Sequence, residues 1–175
     1  EKTAQPTFNS PQRTILLIDQ SLSMYATDVR PNRLTHLKQK VRDTLSKINE
    51  GEIAMVAYAG DAYTISPFSK DKSTLTHFLL ALDPLIMPLY GSNLDQGIAT
   101  ALSLLDDISH PAHLILFTDD IKPAEVASIA TQLDSRPIQM DIIGIGTPLG
   151  GTIVLPDGQE LKDHNGLVKP TLPIN

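Results

Sequence analysis

The sequence predicts an α/β domain built on a doubly wound, mostly parallel sheet. Three observations carry that prediction. Short continuous apolar runs recur at Ile15–Ile18, Ile53–Tyr58, Leu114–Phe117 and Ile138–Ile145, and such runs read as strands buried on both faces of a parallel sheet. Between them lie segments with apolar residues three and four apart, the stripe of an amphipathic helix. Two of the runs end in aspartate, Asp19 and Asp119. In open α/β sheets, ligands bind beyond the carboxyl ends of the strands.

Bulk properties narrow the choices. A chain of 175 residues suits one domain with a core of its own. The hydrophobic fraction of 41% and charged fraction of 19% are those of a folded globular protein. A net charge of −6 argues against nucleic acid and anionic lipid as partners. Cysteine is absent, which excludes thiolate chemistry, disulfides and thiolate metal sites. No apolar run approaches the ~20 residues that span a bilayer. The chain begins at Glu1 rather than Met, which reads as a fragment or processed form.

Taken in order, residues 1–12 hold two prolines and no periodicity, an N-terminal arm. The first strand, Thr14–Ile18, leads into a loop reaching Asn32. A helix follows, with Leu34, Leu37, Val41, Leu45 and Ile48 inward and Arg33, Lys38, Lys40, Arg42 and Lys47 on a solvated face. After Gly51 comes Ile53–Tyr58, then a turn at Ala59-Gly-Asp-Ala62 into a short antiparallel edge strand that ends at Pro67. The next helix turns Leu75, Phe78, Leu79 and Leu82 inward, capped by Ser73 or Thr74. Pro84 and Pro88 make Asp83–Tyr90 a loop, and Gly91-Ser92-Asn93 opens a helix carrying Leu94, Ile98, Ala101, Leu102 and Leu105. Ser92 and Asp95 approximate a capping box there. Leu114–Phe117 precedes a helix with Pro123 in its first turn and Val126, Ile129, Ala130 and Leu133 inward. Ile138–Ile145 is the last core strand.

The resulting order is β, α, β, β, α, α, β, α, β: a Rossmann-like sheet with one antiparallel edge strand and helices on both faces. Residues 149–175 carry glycine-rich turn signals and no helical stripe. They read as a small C-terminal β-hairpin extension packed on the domain.

The chemistry concentrates at one edge. Asp19, Ser21 and Ser23 alternate after the first strand, Asp119 ends another, and Ser92 opens a helix beside them. Two carboxylates and three hydroxyls form a hard-oxygen set of the kind Mg²⁺ prefers, with room in an octahedron for an outside ligand. Other sites find no support. The histidines at 36, 77, 110, 113 and 164 lack zinc-ligand spacing, Gly-x-Ser-x-Gly is missing, and Gly144-Ile-Gly146 lacks the third glycine of a dinucleotide fingerprint.

On these motifs the chain resembles the von Willebrand factor A domain with its metal-ion-dependent adhesion site. Asp19-Gln-Ser21-Leu-Ser23 stands for D-x-S-x-S, Gly91-Ser92 for the threonine loop, and Leu114-Ile-Leu-Phe-Thr-Asp119-Asp120 for the apolar strand ending T-D-G. The likeness spans about residues 13–148. It implies that Asp19, Ser21, Ser23, Ser92 and Asp119 hold Mg²⁺ or Mn²⁺, and that a protein partner's Asp or Glu completes the coordination. It implies recognition and not catalysis. Ser92 keeps the hydroxyl of the usual threonine, whereas Asp120 replaces a glycine and either strengthens cation binding or distorts the loop.

A narrower resemblance joins the chain to bacterial Bat-type (BatA/BatB) aerotolerance membrane proteins. It rests on Met24-Tyr-Ala-Thr-Asp28-Val-Arg-Pro31-Asn-Arg33-Leu34, Ala57-Tyr-Ala-Gly60-Asp61-Ala62-Tyr63, Ile143-Gly-Ile-Gly146-Thr147-Pro148 and Leu155-Pro-Asp-Gly158. It implies a membrane-anchored parent at the bacterial inner membrane with this domain extracytoplasmic. It also implies association with a MoxR-type AAA+ ATPase system and sister proteins of the same domain type. Two other functions stay open. One is a metal-independent scaffold with a vestigial site. The other is a Mg²⁺-dependent phosphohydrolase with Asp19 as nucleophile, in which Ser21 stands where a general acid is needed.

Overall fold

The computed structural model describes residues 12–107 and 109–162. Strands β1 (Arg13–Asp19), β2 (Glu52–Tyr58), β3 (Ala62–Ser69), β4 (Ala112–Thr118) and β5 (Ile138–Gly144) form one sheet in the order β3-β2-β1-β4-β5. All neighbours pair in parallel except β2 with β3. Helices α1 (Arg33–Lys47) and α2 (Lys72–Ala81) cover one face, where Leu37, Val41, Leu75 and Leu79 meet Leu16, Ile18, Met55 and Phe117. Helices α3 (Leu94–Ser103) and α4 (Pro123–Leu133) cover the other, where Ile98, Ala101 and Ile129 meet Ile15, Leu17, Val56 and Leu116. The doubly wound sheet predicted from the apolar runs is therefore the fold observed, with β3 as its antiparallel edge.

The differences have physical reasons. β3 runs on through Pro67 instead of ending there, because an outer strand needs no donor on its free side and the pairing with β2 is already irregular near Met55. β5 is an edge strand and not a core strand. Its burial alternates and Ile142 is 52% exposed. Phe78 and Val126 also face outward, although Leu79 and Ile129 beside them are buried. The caps sit earlier or later than expected. Asp71, not Ser73 or Thr74, accepts from the Thr74 N–H, and Asn93, not Ser92, accepts from the Gln96 N–H.

After β5 the chain makes a small hairpin. Val154 bridges Glu160 around a turn closed by Gly158 N–H to Leu155 O. The hairpin is pinned to the loop after β1 by the Ala26–Ile153 bridge, and Ile153 is buried in the core. Residues 1–11 of the expected arm and residues 163–175 of the expected C-terminal extension lie outside the described residues.

Candidate metal centre

β1 and β4 lie side by side in parallel, with Ile18 opposite Phe117, so both chains leave the sheet at the same carboxyl edge. That register sets Asp19 beside Thr118 and brings Asp119 to the same place. The Gln20 N–H donates to Tyr58 O at 2.8 Å and holds the exit of β1 against β2. A 3₁₀ turn at Leu22–Tyr25 then folds the backbone so that the Ser21 and Ser23 hydroxyls meet at 2.7 Å. Asp19, Ser21, Ser23 and Asp119 are thus brought together as expected.

Ser92 arrives from a separate loop. The Asn93 N–H donates to Ala59 O at 2.6 Å, and the Gly60 N–H donates to Leu89 O at 2.9 Å, which stitches this loop to the end of β2. A side chain at Gly60 would meet Tyr90 O at 2.5 Å, so only glycine permits the approach. Because Asn93 caps α3, the exposed Ser92 is not committed to capping.

The electrostatics are tense. Asp19 is fully buried, and its carboxylate accepts from the Ser21 N–H at 2.8 Å and the Thr118 hydroxyl at 2.7 Å. Burial, reinforced by the charge of Asp119, nevertheless pushes the Asp19 carboxyl up to about 7. Thr118 also receives the Tyr58 hydroxyl at 3.1 Å, and burial, with Asp19 and Asp119 nearby, raises that phenol as well. Beside Asp19, Gln20 is buried, and its Oε1 has no hydrogen-bond partner among the described residues. Among the described residues no three His, Cys, Asp or Glu gather in metal-holding geometry. The donor set is two carboxylates with hydroxyls, which matches a hard, oxygen-preferring cation. Asp120 does not distort its loop. Its φ is not positive, its side chain is exposed, and its N–H donates to Thr118 Oγ1 at 3.3 Å.

Arg33 is the residue that sequence reasoning misplaced. It belongs to no solvated face, being 1% exposed. Its Nε and Nη2 grip Asp28 Oδ1 and Oδ2, each at 2.7 Å, and its Nη1 donates to Asp119 Oδ2 at 3.0 Å. Asp28 also accepts from the Thr147 N–H and hydroxyl at 2.8 and 2.9 Å. The one guanidinium is shared between Asp28 and Asp119, and Asp19 adds a further acid at the same edge, so the edge is rich in carboxylate. Residues and charge therefore fit the group that the motif implies.

A doubly wound domain with this strand-end set defines the class. Residues 14–122 match the model of the von Willebrand factor type A domain, and the chain belongs to that family. Its relatives include a Bat protein. The structure of BatB from Bacteroides thetaiotaomicron, described as a conserved hypothetical protein, superposes with a TM-score of 0.83 at 25% identity, covering 93% of this chain and 80% of that one. An aerotolerance-related membrane protein from Bacteroides fragilis gives the same score and identity over 93% of this chain and 82% of its own. A UPF0353 protein of Mycolicibacterium gilvum is 29% identical over 155 residues, 78% of this chain. This chain spans 45% of that relative's length. The Bat-type likeness read from the loop motifs is thus borne out. No helix among the described residues is long and apolar enough to cross a membrane.

Proposed function

We propose that this domain is a divalent-cation-dependent protein-recognition module of a bacterial membrane-associated stress or assembly protein. Asp19, Ser21, Ser23, Ser92 and Asp119 would hold Mg²⁺ or Mn²⁺. The bound ion would supply the positive charge that accepts an Asp or Glu carboxylate of the partner. The observation that carries the reading is the meeting of two strand-end carboxylates and the paired Ser21 and Ser23 hydroxyls at one edge.

The chain's own residues support recognition over turnover. Asp19 is a poor nucleophile, being fully buried with both oxygens engaged. The loop leading to Ser92 exposes Leu85, Ile86, Leu89 and Tyr90, an apolar surface of the kind that marks protein contacts. The Bat relatives support a membrane-anchored parent. We place this domain outside the cytoplasm, working with sister domains and a MoxR-type ATPase system. The metal-independent scaffold has one observation in its favour, since Arg33 already balances part of the Asp119 charge.

Nuclear magnetic resonance separates the two. Trace Mn²⁺ is expected to broaden the backbone amides of Ser21, Ser23, Ser92 and Asp119 before all others, with EDTA restoring them. Broadening spread over exposed acids such as Asp106 and Asp107, with the Ser21 and Asp119 signals intact, contradicts the cation reading and leaves the scaffold.

A further inference from the structure

The Arg33 guanidinium lies between Asp119 and the turn after β5. Its fork on Asp28 is bidentate at 2.7 Å on both arms, which fixes its plane. The chain around it leaves no slack. A side chain at Gly146, whose φ is +116°, would meet Arg33 Cζ at 2.6 Å, and one at Gly151 would meet Asp28 Cβ at 2.8 Å. Thr147 holds Asp28 from the far side through its N–H and hydroxyl. A guanidinium so held cannot swing away from Asp119, whose Oδ2 it engages at 3.0 Å.

We propose that Arg33 is a built-in counter-charge and positioning residue for Asp119, holding the carboxylate edge together without metal and setting the site's affinity for a divalent cation low. This rests on the cation reading above. The guanidinium and a divalent ion draw on the same carboxylate, and like charges repel at short range in a buried setting. The two roles open to Arg33 differ in sign. Loss of a purely structural arginine loosens the site and weakens metal binding. Loss of a competing counter-charge weakens the fold yet strengthens metal binding.

The test is Mn²⁺ calorimetry paired with urea unfolding in EDTA, on wild type, Arg33→Gln, Asp119→Asn and the double variant. Arg33→Gln is expected to bind Mn²⁺ about fivefold or more tighter than wild type although it is less stable in EDTA. The double variant is expected to lose less stability than the two single losses combined, because the pair is coupled. Additive losses in EDTA, or Mn²⁺ binding by Arg33→Gln that is unchanged or weaker, overturn the proposal. Where Arg33→Gln does not fold, Asp28→Asn reads the same balance from the other side. Asparagine keeps an acceptor oxygen for the guanidinium while removing the competing charge, so Arg33 stays in place and bears more fully on Asp119, and Mn²⁺ binding weakens about fivefold or more. Unchanged or tighter binding there overturns the proposal too. A wild type that binds no Mn²⁺ overturns the cation reading and the affinity half of this one, while the EDTA cycle still decides whether Arg33 and Asp119 act as a pair.

Discussion

Arg33→Met is expected to lower the unfolding free energy in EDTA at neutral pH by about 3–5 kcal/mol, the cost of removing one partner from a buried ion pair. Methionine fills a similar length without charge, so the loss is electrostatic more than steric. It leaves the Asp28 and Asp119 side chains, 3% and 6% exposed, without their shared cation. Burial by itself would raise the Asp28 carboxyl, but its bonds from Arg33 and Thr147 outweigh burial and hold it down at about 2. A carboxyl depressed by folding contributes stability above its ordinary value of 3.8, and that contribution fades as pH falls toward 2. The gap between Arg33→Met and wild type should therefore narrow in acid. Arg33→Lys should recover only part of the loss, because an ammonium keeps the charge and lacks the fork. Equilibrium urea unfolding from pH 3 to 8 reads all of this. A loss below about 1 kcal/mol at neutral pH would mean that the network is ornamental, as exposed ion pairs often are.

The second large effect runs the other way. Asp19→Asn is expected to make the metal-free domain more stable at pH 8, by about 2–4 kcal/mol. The Asp19 carboxyl rises on folding from 3.8 to about 7, chiefly through burial and then through the Asp119 charge. The folded state thus holds a proton that the unfolded chain releases, so this group's contribution is complete below about pH 4 and is lost as pH rises toward 7. Asparagine is neutral throughout and removes that slope. Its oxygen can accept from the Ser21 N–H as the carboxylate does. Its amide can donate to Thr118 Oγ1 in place of the long 3.3 Å bond from the Asp120 N–H, and the Thr118 hydroxyl then turns to Asp120 O at 3.0 Å. A site that costs stability when empty is common where function sets the residue. Thermal unfolding in EDTA at pH 5 and pH 8 is the measurement. Asp19→Asn less stable than wild type at pH 8 would show that the carboxylate is structural.

The order of strands and helices was legible because each strand of the sheet's middle is a run of apolar residues buried on both faces, and each helix carries apolar residues three and four apart. Asp19, Ser21, Ser23 and Asp119 were legible for a related reason, since parallel neighbours must end at the same edge. What failed is what depends on the layer above. Val126 and Phe78 sit on helical stripes but project past the sheet's cover, and the apolar content of β5 hid an edge strand. Arg33 failed for the opposite reason. At the first turn of an amphipathic helix an arginine belongs by default to solvent, and only tertiary contact with Asp28, Asp119 and the Gly146-Thr147 turn reverses that. Its signal was present but unread, because Asp28, Arg33 and Gly146-Thr147 all fall within the motifs that resemble the Bat-type proteins. Their contact lies more than a hundred residues apart in sequence, beyond any local pattern.

The central claim is that this edge holds a divalent cation. The direct measurement is the melting temperature of wild type and Asp19→Asn at pH 8 against increasing Mg²⁺ and Mn²⁺, with Ca²⁺ as a size control. Ligand that binds only the folded state stabilises it by mass action, about 2.7 kcal/mol at a hundred times the dissociation constant. The account predicts that wild type starts lower and climbs with Mg²⁺ and Mn²⁺, that Ca²⁺ does less, and that Asp19→Asn starts higher and stays flat. A wild-type curve flat through millimolar metal, or equal climbs in both proteins, would contradict it and leave Arg33 as the cation that serves this edge among the described residues.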